Sequence, residues 1–300
     1  MYKKIIWFVL LLLPSIVEAQ SFNQVGSAEV LQPFGAPADP DIQGLVWNKW
    51  TTENFTILSL DKAQGKSLFD NIENIKTWTV HRWGLRDVKF SAECRVFCVS
   101  TKDLLKKLFN LDSSHGEVRK NNGSIEISAL WLVLDENPAK TIPPALTYVV
   151  LSEIEQQGNT EFGMWAKRGI SFLNSTRSQI RTNFQELQTQ LDGNQELFFS
   201  NGLFGITEDQ FFSLSSDKKE LFDIEAGILC LLLRKEFGQD NLLLFFQTKQ
   251  SEEDLSRQYG FSDYQQFDAT FKRYMTYLIQ DAVSGRLPDT YIDINNKGDG

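Results

Sequence analysis

The stretch SIEISALWLVLDENPAKTIPPALTYVVLSE, residues 124–153, contains the change of pattern that decides the fold. Residues 124–134 are typical of a β-strand, and the polar break at 135–138 ends it. From 141 to 157 the apolar residues follow helical spacing, and no strand pattern occurs after this point. The sequence therefore predicts an α+β fold, with a mixed or antiparallel sheet and helices in the N-terminal half and an all-helical C-terminal half.

The same patterns divide the chain into segments. Residues 20–45 hold several Pro and Gly breaks and predict a linker or irregular arm. We expect an α+β subdomain at 46–140, a helical subdomain at 141–285 and a loosely ordered tail at 286–300. The predicted strands are 45–50, 54–60, 89–100 and 124–134, with a tight turn at 121–123, and the predicted helices are about 68–84, 101–109, 141–157, 163–174, 175–191, 221–237 and 264–278.

Residues 1–19 are typical of a cleaved signal peptide. Lys3 and Lys4 precede an unbroken apolar run, and Val17 and Ala19 supply the small residues that a signal peptidase reads. The alternative is an uncleaved anchor, but the apolar run is shorter than the roughly 20 residues that a membrane-spanning helix needs. We expect cleavage between Ala19 and Gln20 and a secreted or periplasmic protein with no membrane span after cleavage.

The charge of the chain limits its partners. The formal net charge is -9, and residues 1–19 contribute +1, so the mature protein would carry -10. A strongly negative protein repels nucleic-acid phosphates and anionic membrane surfaces. We therefore expect no nucleic-acid partner. Hydrophobic residues make up 42% of the chain, which is enough for a sizeable core.

Cysteine and histidine are both rare. Cys94 and Cys98 fall on one face of a predicted strand, roughly 13 Å apart at about 3.3 Å per residue, too far for a disulfide. Both are expected to be small buried residues, and any pairing with Cys230 stays open. His81 lies late in the first helix and His115 in a turn at 113–116, and neither has a catalytic partner at motif spacing.

Three Asn-x-Ser/Thr sequons provide sites for N-glycosylation if the host is eukaryotic. They begin at Asn54, Asn122 and Asn174. About this number is expected by chance in a chain rich in Asn, Ser and Thr, so the sequence does not indicate which of them is used.

Residues 142–170 carry the motif with most bearing on function. Leu146 and Thr147 stand where a metal-binding helix has the middle of H-E-L-T-H, and Trp165 and Gly169 stand where a second helix has W-x-x-E-G. In this arrangement the chain resembles the peptidase-MA-like gluzincin metalloproteases over roughly residues 46–280. The resemblance implies an extended strand before the first helix and a late buried helix that ends at a Tyr-Gly or Phe-Gly turn.

The sequence departs from that family at every chemical position. Pro144 stands at the first histidine, Ala145 at the catalytic glutamate, Tyr148 at the second histidine and Arg168 at the third ligand. Catalytic zinc needs three protein ligands and an open position, which these side chains do not supply. The resemblance therefore implies a pseudoenzyme with no catalytic residue, no metal and no cofactor.

A degenerate cleft can still bind a peptide or protein partner, for example by adding an extended strand to a sheet edge. The residues expected to contact such a partner are Trp131, Tyr148, Trp165 and Arg168. The aromatic residues could equally pack in the core, and Arg168 could be a solvated helix residue.

Three alternatives remain. The first is an exported hydrolase with a non-zinc mechanism that uses Glu153 or Glu155, although residues two apart on a helix face different ways. The second is a structural component of an envelope or particle. In the third, the resemblance is fortuitous, and Pro143 and Pro144 simply open an ordinary amphipathic helix.

Overall fold

A computed structural model describes most of the chain, namely residues 23–25, 45–134, 138–158, 161–192, 197–248 and 250–288. The predicted signal peptide at 1–19, most of the predicted arm at 20–45 and residues 289–300 of the predicted tail lie outside these ranges. No helix within the described ranges is both long and apolar enough to cross a membrane.

The strands form one mixed sheet. They are β1 (Asn23–Val25), β2 (Trp47–Thr51), β3 (Phe55–Ser59), β4 (Cys94–Val99), β5 (His115–Asn121) and β6 (Ser124–Val133), in the spatial order β1-β2-β3-β4-β6-β5. The pairs β3–β4 and β4–β6 are parallel and the others are antiparallel. The three-residue β1 falls within the predicted irregular arm and pairs with β2.

Eleven helices are described. They are α1 (Lys62–His81), α2 (Lys102–Phe109), α3 (Pro138–Gln157), α4 (Met164–Leu173), α5 (Arg177–Asp192), α6 (Phe199–Gly205), α7 (Glu208–Ser213), α8 (Ser216–Phe237), α9 (Gln239–Phe246), α10 (Glu252–Tyr259) and α11 (Tyr264–Val283). Only α1 and α2 precede residue 135, and no strand among the described residues follows it. The predicted α+β fold is confirmed.

Local sequence features determine where several of these helices and strands begin or end. The Asp61 carboxylate accepts hydrogen bonds from the backbone of Ala63 and Gln64 and so caps α1. Asn122 and Gly123 both have positive φ, of 51° and 80°, as the turn of a tight hairpin requires, and they join β5 to β6. The long buried helix α8 ends at Phe237 because Gly238 has a φ of 91°.

Two hydrophobic clusters cover the two faces of the sheet. The smaller one packs α2 against one face through residues such as Phe97, Phe109 and Trp131. The larger one contains Val96 of the sheet together with Ile228 of α8, so it continues across the subdomain boundary predicted at 140/141. That boundary coincides with the change from sheet to helices, but the two halves share one core.

Alternation along β4 decides where its cysteines lie. Cys94 and Cys98 point into the larger cluster, whereas Phe97 points into the smaller one. Both thiols are buried, as is Cys230 on α8, and all three are free. The predicted burial of Cys94 and Cys98 is confirmed.

The structure corrects several details of the sequence-based prediction. The helices α6, α7, α9 and α10 were not predicted, because each is eight residues or shorter and shows little periodicity. The start of the predicted tail is also ordered by contacts, since Leu287 is buried and its carbonyl accepts a hydrogen bond from Arg181.

Candidate functional site

The edge of the sheet meets the helical half where β5 lies against α3. At Gly116 of β5, an added Cβ atom would overlap the carbonyl oxygen of Ala145 on α3. Glycine permits this approach because it has no side chain. The helix that carries Ala145 and Tyr148 is therefore held directly against the edge strand.

Tyr148 projects from α3 at this junction. Its hydroxyl donates a hydrogen bond to the Glu208 carboxylate of α7. The edge of its ring meets Phe212 with 6.3 Å between the centroids, and the Lys167 ammonium lies 5.7 Å from its ring centre. Burial raises the pKa of Glu208, an effect that Lys120 partly opposes and Asp209 adds to.

Arg168 projects from α4 and binds Asp223 of α8 through two hydrogen bonds, of which the Nε–Oδ1 bond measures 2.7 Å. Its guanidinium carbon lies 4.8 Å from the ring centre of Phe211 on α7. Each side chain of the ion pair is 20% exposed. Burial raises the pKa of Asp223, although the positive charge of Arg168 opposes this shift.

His115 is the first residue of β5 and does not lie in a turn, which corrects the sequence-based prediction. Its register places it opposite Trp131 of β6, and the two rings stack at 6.0 Å. On its other side it meets the Phe212 ring at 6.4 Å. Partial burial, with the positive charges of Arg168 and Lys219, lowers the pKa of His115 to about 3, so the imidazole is neutral at physiological pH.

Helix α7 links these groups. Tyr148 contacts Phe212, Arg168 contacts the adjacent Phe211, and Phe212 also reaches His115. We call the cluster formed by His115, Tyr148 and Arg168 the β5–α3 site, in which the Tyr148 side chain is 1% exposed and is covered by its contacts with α7. Positions 148 and 168, which the gluzincin resemblance pairs, therefore face the same six-residue helix.

Pro144 lies one helical turn before Tyr148 and is partly buried. The sequence predicted that this proline falls in the first turn of its helix. The structure corrects this, because α3 begins at Pro138 and both Pro143 and Pro144 lie inside it. Each proline removes a backbone donor from the helix.

The donor set does not fit a zinc ion. Pro144 and Ala145 carry no donor atom, the Tyr148 hydroxyl is engaged with Glu208, and Arg168 places a cation where a metal's own charge would lie. Among the residues that the structure describes, no cluster of three or more His, Cys, Asp or Glu side chains is arranged to hold a metal ion.

The two tryptophans predicted to contact a partner lie in the core. Trp131 is 1% exposed and stacks on Phe97, whereas Trp165 is 0% exposed and packs against Phe204 and Phe246. Neither side chain presents a surface to a partner, so this part of the prediction is wrong. Sequence alone does not separate a buried tryptophan from one at an interface, because both occur in apolar segments.

Gly169, the last residue of the W-x-x-E-G match, has a structural role. An added Cβ atom at this position would overlap the carbonyl oxygen of Ala226, which shows how closely α4 approaches α8. A glycine is needed here for helix packing whether or not the chain descends from a metallopeptidase.

The two glutamates of the alternative hydrolase hypothesis are both engaged. Glu153 is fully buried and accepts hydrogen bonds from the backbone amide and the hydroxyl of Ser91, at 2.9 and 2.7 Å. Glu155 binds both Lys120 and Lys167 at 2.8 Å. Burial raises the pKa of Glu155, but the two lysines outweigh this and lower it.

The three sequons differ in accessibility. Asn54 is buried and binds Glu73 through its side-chain amide, and Asn174 is buried and binds Trp83 and Thr147. Asn122 is exposed at the tip of the β5–β6 hairpin. Only Asn122 therefore offers its side chain to a modifying enzyme in the folded protein.

Sequence reasoning did not identify Glu208 and Phe212 as site residues. A usable signal exists, because Thr207 and Gln210 form a capping box that marks the start of α7. No local signal shows that α7 contacts residues of β5 and α3, since these contacts span at least 60 residues of chain.

Comparison with known proteins finds no matching family model and no matching curated protein. The gluzincin resemblance therefore depends on the motif at 142–170 alone and stays a prediction.

Proposed function

We propose that this chain is an exported, non-catalytic, peptidase-like protein that binds an extended segment of a peptide or protein partner at the β5–α3 site. The single observation that carries the proposal is the position of β5. It is the last strand in the sheet order and lies directly against α3, the helix with the degenerate motif.

An edge strand can accept a partner strand through main-chain hydrogen bonds. The β5 strand spans seven residues, a length that suits a short peptide, and the charged residues Arg119 and Lys120 follow its buried part. Natural edge strands often carry such charges, which discourage uncontrolled pairing between copies. Binding at this edge would place a partner next to His115, Tyr148 and α7.

Side-chain chemistry supports a binding role over the ancestral type of hydrolysis. The position of the catalytic general base holds Ala145, which cannot accept a proton, and the position of the third ligand holds Arg168, which is already paired with Asp223. The proposal of export depends on the pattern of residues 1–19.

The test begins with a display library of extended peptides screened against the mature protein, residues 20–300. A peptide recovered in this screen is then synthesised with and without N-methyl groups on alternate backbone amides. We expect N-methylation to abolish binding, and we expect the unmethylated peptide to slow amide hydrogen exchange at 115–121. Binding that tolerates methylation on both sets of amides, or protection confined to α11, would overturn the proposal.

A second measurement addresses the pseudoenzyme directly. We expect metal analysis of the purified protein to find no stoichiometric zinc, because the former ligand positions lack donors. A tightly held equivalent of zinc would contradict the non-catalytic assignment. Cleavage of casein that persists in the presence of a chelator would instead support the hydrolase with a non-zinc mechanism.

A further inference from the structure

Helix α7 is joined to the protein by extended residues at both of its ends. Ile206 and Thr207 precede it, and Leu214 and Ser215 follow it, all with extended backbone angles. The helix itself has six residues. A helix this short gains little stability from its own hydrogen bonds, so its position depends on its side-chain contacts.

Those contacts fall into two groups. Phe211 is buried and packs against Phe222 of α8 at 5.2 Å, which ties α7 to the helical half. Glu208 and Phe212 face the other way, toward the β5–α3 site. They are four residues apart and therefore lie on one face of the helix, with Cβ atoms about 6 Å apart.

Both of these side chains meet Tyr148. Glu208 accepts the hydrogen bond from its hydroxyl, and Phe212 lies against its ring and against the ring of His115. The β5–α3 site thus holds one carboxylate and one aromatic ring, side by side, and α7 supplies both.

The charges around the site also favour a carboxylate. Lys120 of β5 is close enough to Glu208 for its positive charge to oppose the rise in the pKa of Glu208. The positive charges of Arg168 and Lys219 likewise lower the pKa of His115. Glu155 and Asp223 offset part of this charge through their ion pairs. The buried Glu117 carboxylate also lies 3.9 Å from His115, so charges of both signs surround the site, and the attraction for a carboxylate is confined to the neighbourhood of Lys120.

An extended peptide can present the same pair of groups. Residues two apart in a strand point to the same side and are about 6.6 Å apart, close to the separation of Glu208 and Phe212 on the helix. An acidic residue and an aromatic residue with one residue between them would therefore match both contacts while the peptide backbone pairs with β5.

We propose that α7 occupies the β5–α3 site as an internal ligand, and that the partner is an extended peptide with an acid-x-aromatic motif that displaces Glu208 and Phe212. This inference rests on the proposed function, since it names the chemistry of the partner and the element that competes with it. Displacement withdraws the Glu208 and Phe212 side chains from the site while Phe211 stays packed against Phe222.

The experiment compares the wild-type mature protein with the double variant Glu208→Gln, Phe212→Ala, which removes the internal ligand and leaves the site intact. The probe is a fluorescent ten-residue peptide with a central Glu-Val-Phe, read by anisotropy. We expect the double variant to bind it at least about tenfold more tightly, because a competing occupied state is removed. Ser213→Ala, on the exposed side of α7, is the matched control and should leave the affinity unchanged.

Two further arms make the outcome specific. Peptides with Gln-Val-Phe or Glu-Val-Ala should bind the double variant more weakly than the Glu-Val-Phe peptide does. When Tyr148→Phe is added to the double variant, the Glu-Val-Phe and Gln-Val-Phe peptides should bind equally well. Circular dichroism and a melting curve verify that each variant is folded. If the double variant is not folded, the single isosteric variant Glu208→Gln takes its place in the comparison with the wild type.

The results separate the two proposals. Equal affinity of the wild type and the folded variants, with binding at β5 still sensitive to N-methylation, would overturn the role of α7 and leave the proposed function standing. Equally tight binding of peptides that lack the acidic or the aromatic residue would also overturn the role of α7 and leave the proposed function standing. A failure of every peptide to bind either protein would reject both proposals.

Discussion

Gly116 on β5 and Ala145 on α3 lie so close together that a Cβ atom on the glycine would overlap the carbonyl oxygen of the alanine. This contact joins the edge of the sheet to the helix that carries Tyr148. Since the obstacle is backbone, it cannot rotate away as a flexible side chain could.

The substitution Gly116→Ala should therefore destabilise the protein by about 1–3 kcal/mol, the usual cost of overpacking a well-packed region. Gly205→Ala is the matched control, because no atom lies within 4 Å of its Cβ position, and it should change stability by less than about 0.5 kcal/mol. Urea denaturation measures both. Equal stabilities of the two variants would show that β5 and α3 are not in this contact.

The ion pair between Arg168 and Asp223 should respond differently to single and double substitution. Arg168→Ala leaves the largely buried Asp223 carboxylate without its hydrogen-bonded partner, and we expect a loss of about 2 kcal/mol, less than the cost for a fully buried pair because both side chains are 20% exposed. The double variant Arg168→Met, Asp223→Leu should recover most of this loss. Additive losses in a double-mutant cycle would contradict the pairing.

His115 should make the stability of the protein depend on pH. Its pKa is lowered to about 3 in the folded state, below the unfolded value of 6.5, so the unfolded chain binds the proton first. Its contribution is therefore complete above pH 6.5 and is lost as the pH falls toward 3, by up to about 1 kcal/mol per pH unit. Glu117, whose carboxylate lies 3.9 Å away, reduces the effect.

Denaturation curves between pH 7 and pH 4 check this expectation. His115→Asn should flatten the fall in stability over that range, whereas His81→Asn, at an exposed position of α1, should not. An unchanged slope in the His115 variant would mean that this imidazole is solvated in the folded protein.

Glycosylation should be restricted to one of the three sequons. When the chain is secreted from a eukaryotic host, we expect mass spectrometry of the folded product to find a glycan at Asn122 only. Asn54 and Asn174 use their amides in buried hydrogen bonds, and a glycan at either position could not be accommodated. Asn122→Gln should remove the glycan without loss of stability, and a glycan at either buried position would contradict the fold around it.

The three thiols should be unreactive in the native state. Burial raises the pKa of Cys94, Cys98 and Cys230, so little thiolate forms at neutral pH. We expect Ellman's reagent to label none of the three in the folded mature protein and all three in guanidinium. Rapid labelling of one thiol without denaturant would reveal that its segment opens locally.

The pattern of residues anticipated much of the fold because the strongest signals are local. The strand pattern at 124–134 indicated β6, and the helical pattern at 221–237 indicated α8, because the spacing of apolar residues within a segment reports its secondary structure. The hairpin at Asn122 and Gly123 was equally predictable, because few residues adopt positive φ at low cost. Short helices such as α7 and α9 were not predicted because they span too few helical turns to show a period.

For the candidate site, in contrast, local sequence patterns were a weaker guide than they were for the fold. The sequence drew attention to Tyr148 and Arg168, and both reach α7, but it also selected Trp131 and Trp165, which fill the core. It assigned His115 to a turn and did not identify Glu208 as a site residue. Each of these outcomes depends on contacts between distant parts of the chain, which a local pattern cannot report.

By itself, then, the sequence determined that this is an α+β protein with a helix at 221–237 and with Cys94 and Cys98 buried, because these properties follow from the spacing and chemistry of neighbouring residues. Only the tertiary structure decided that α7 covers the junction of β5 and α3 and that Tyr148 binds Glu208. The physical reason is that side-chain hydrogen bonds and ring contacts require atoms to meet within a few ångströms, and chain folding alone brings residues 60 positions apart to that distance.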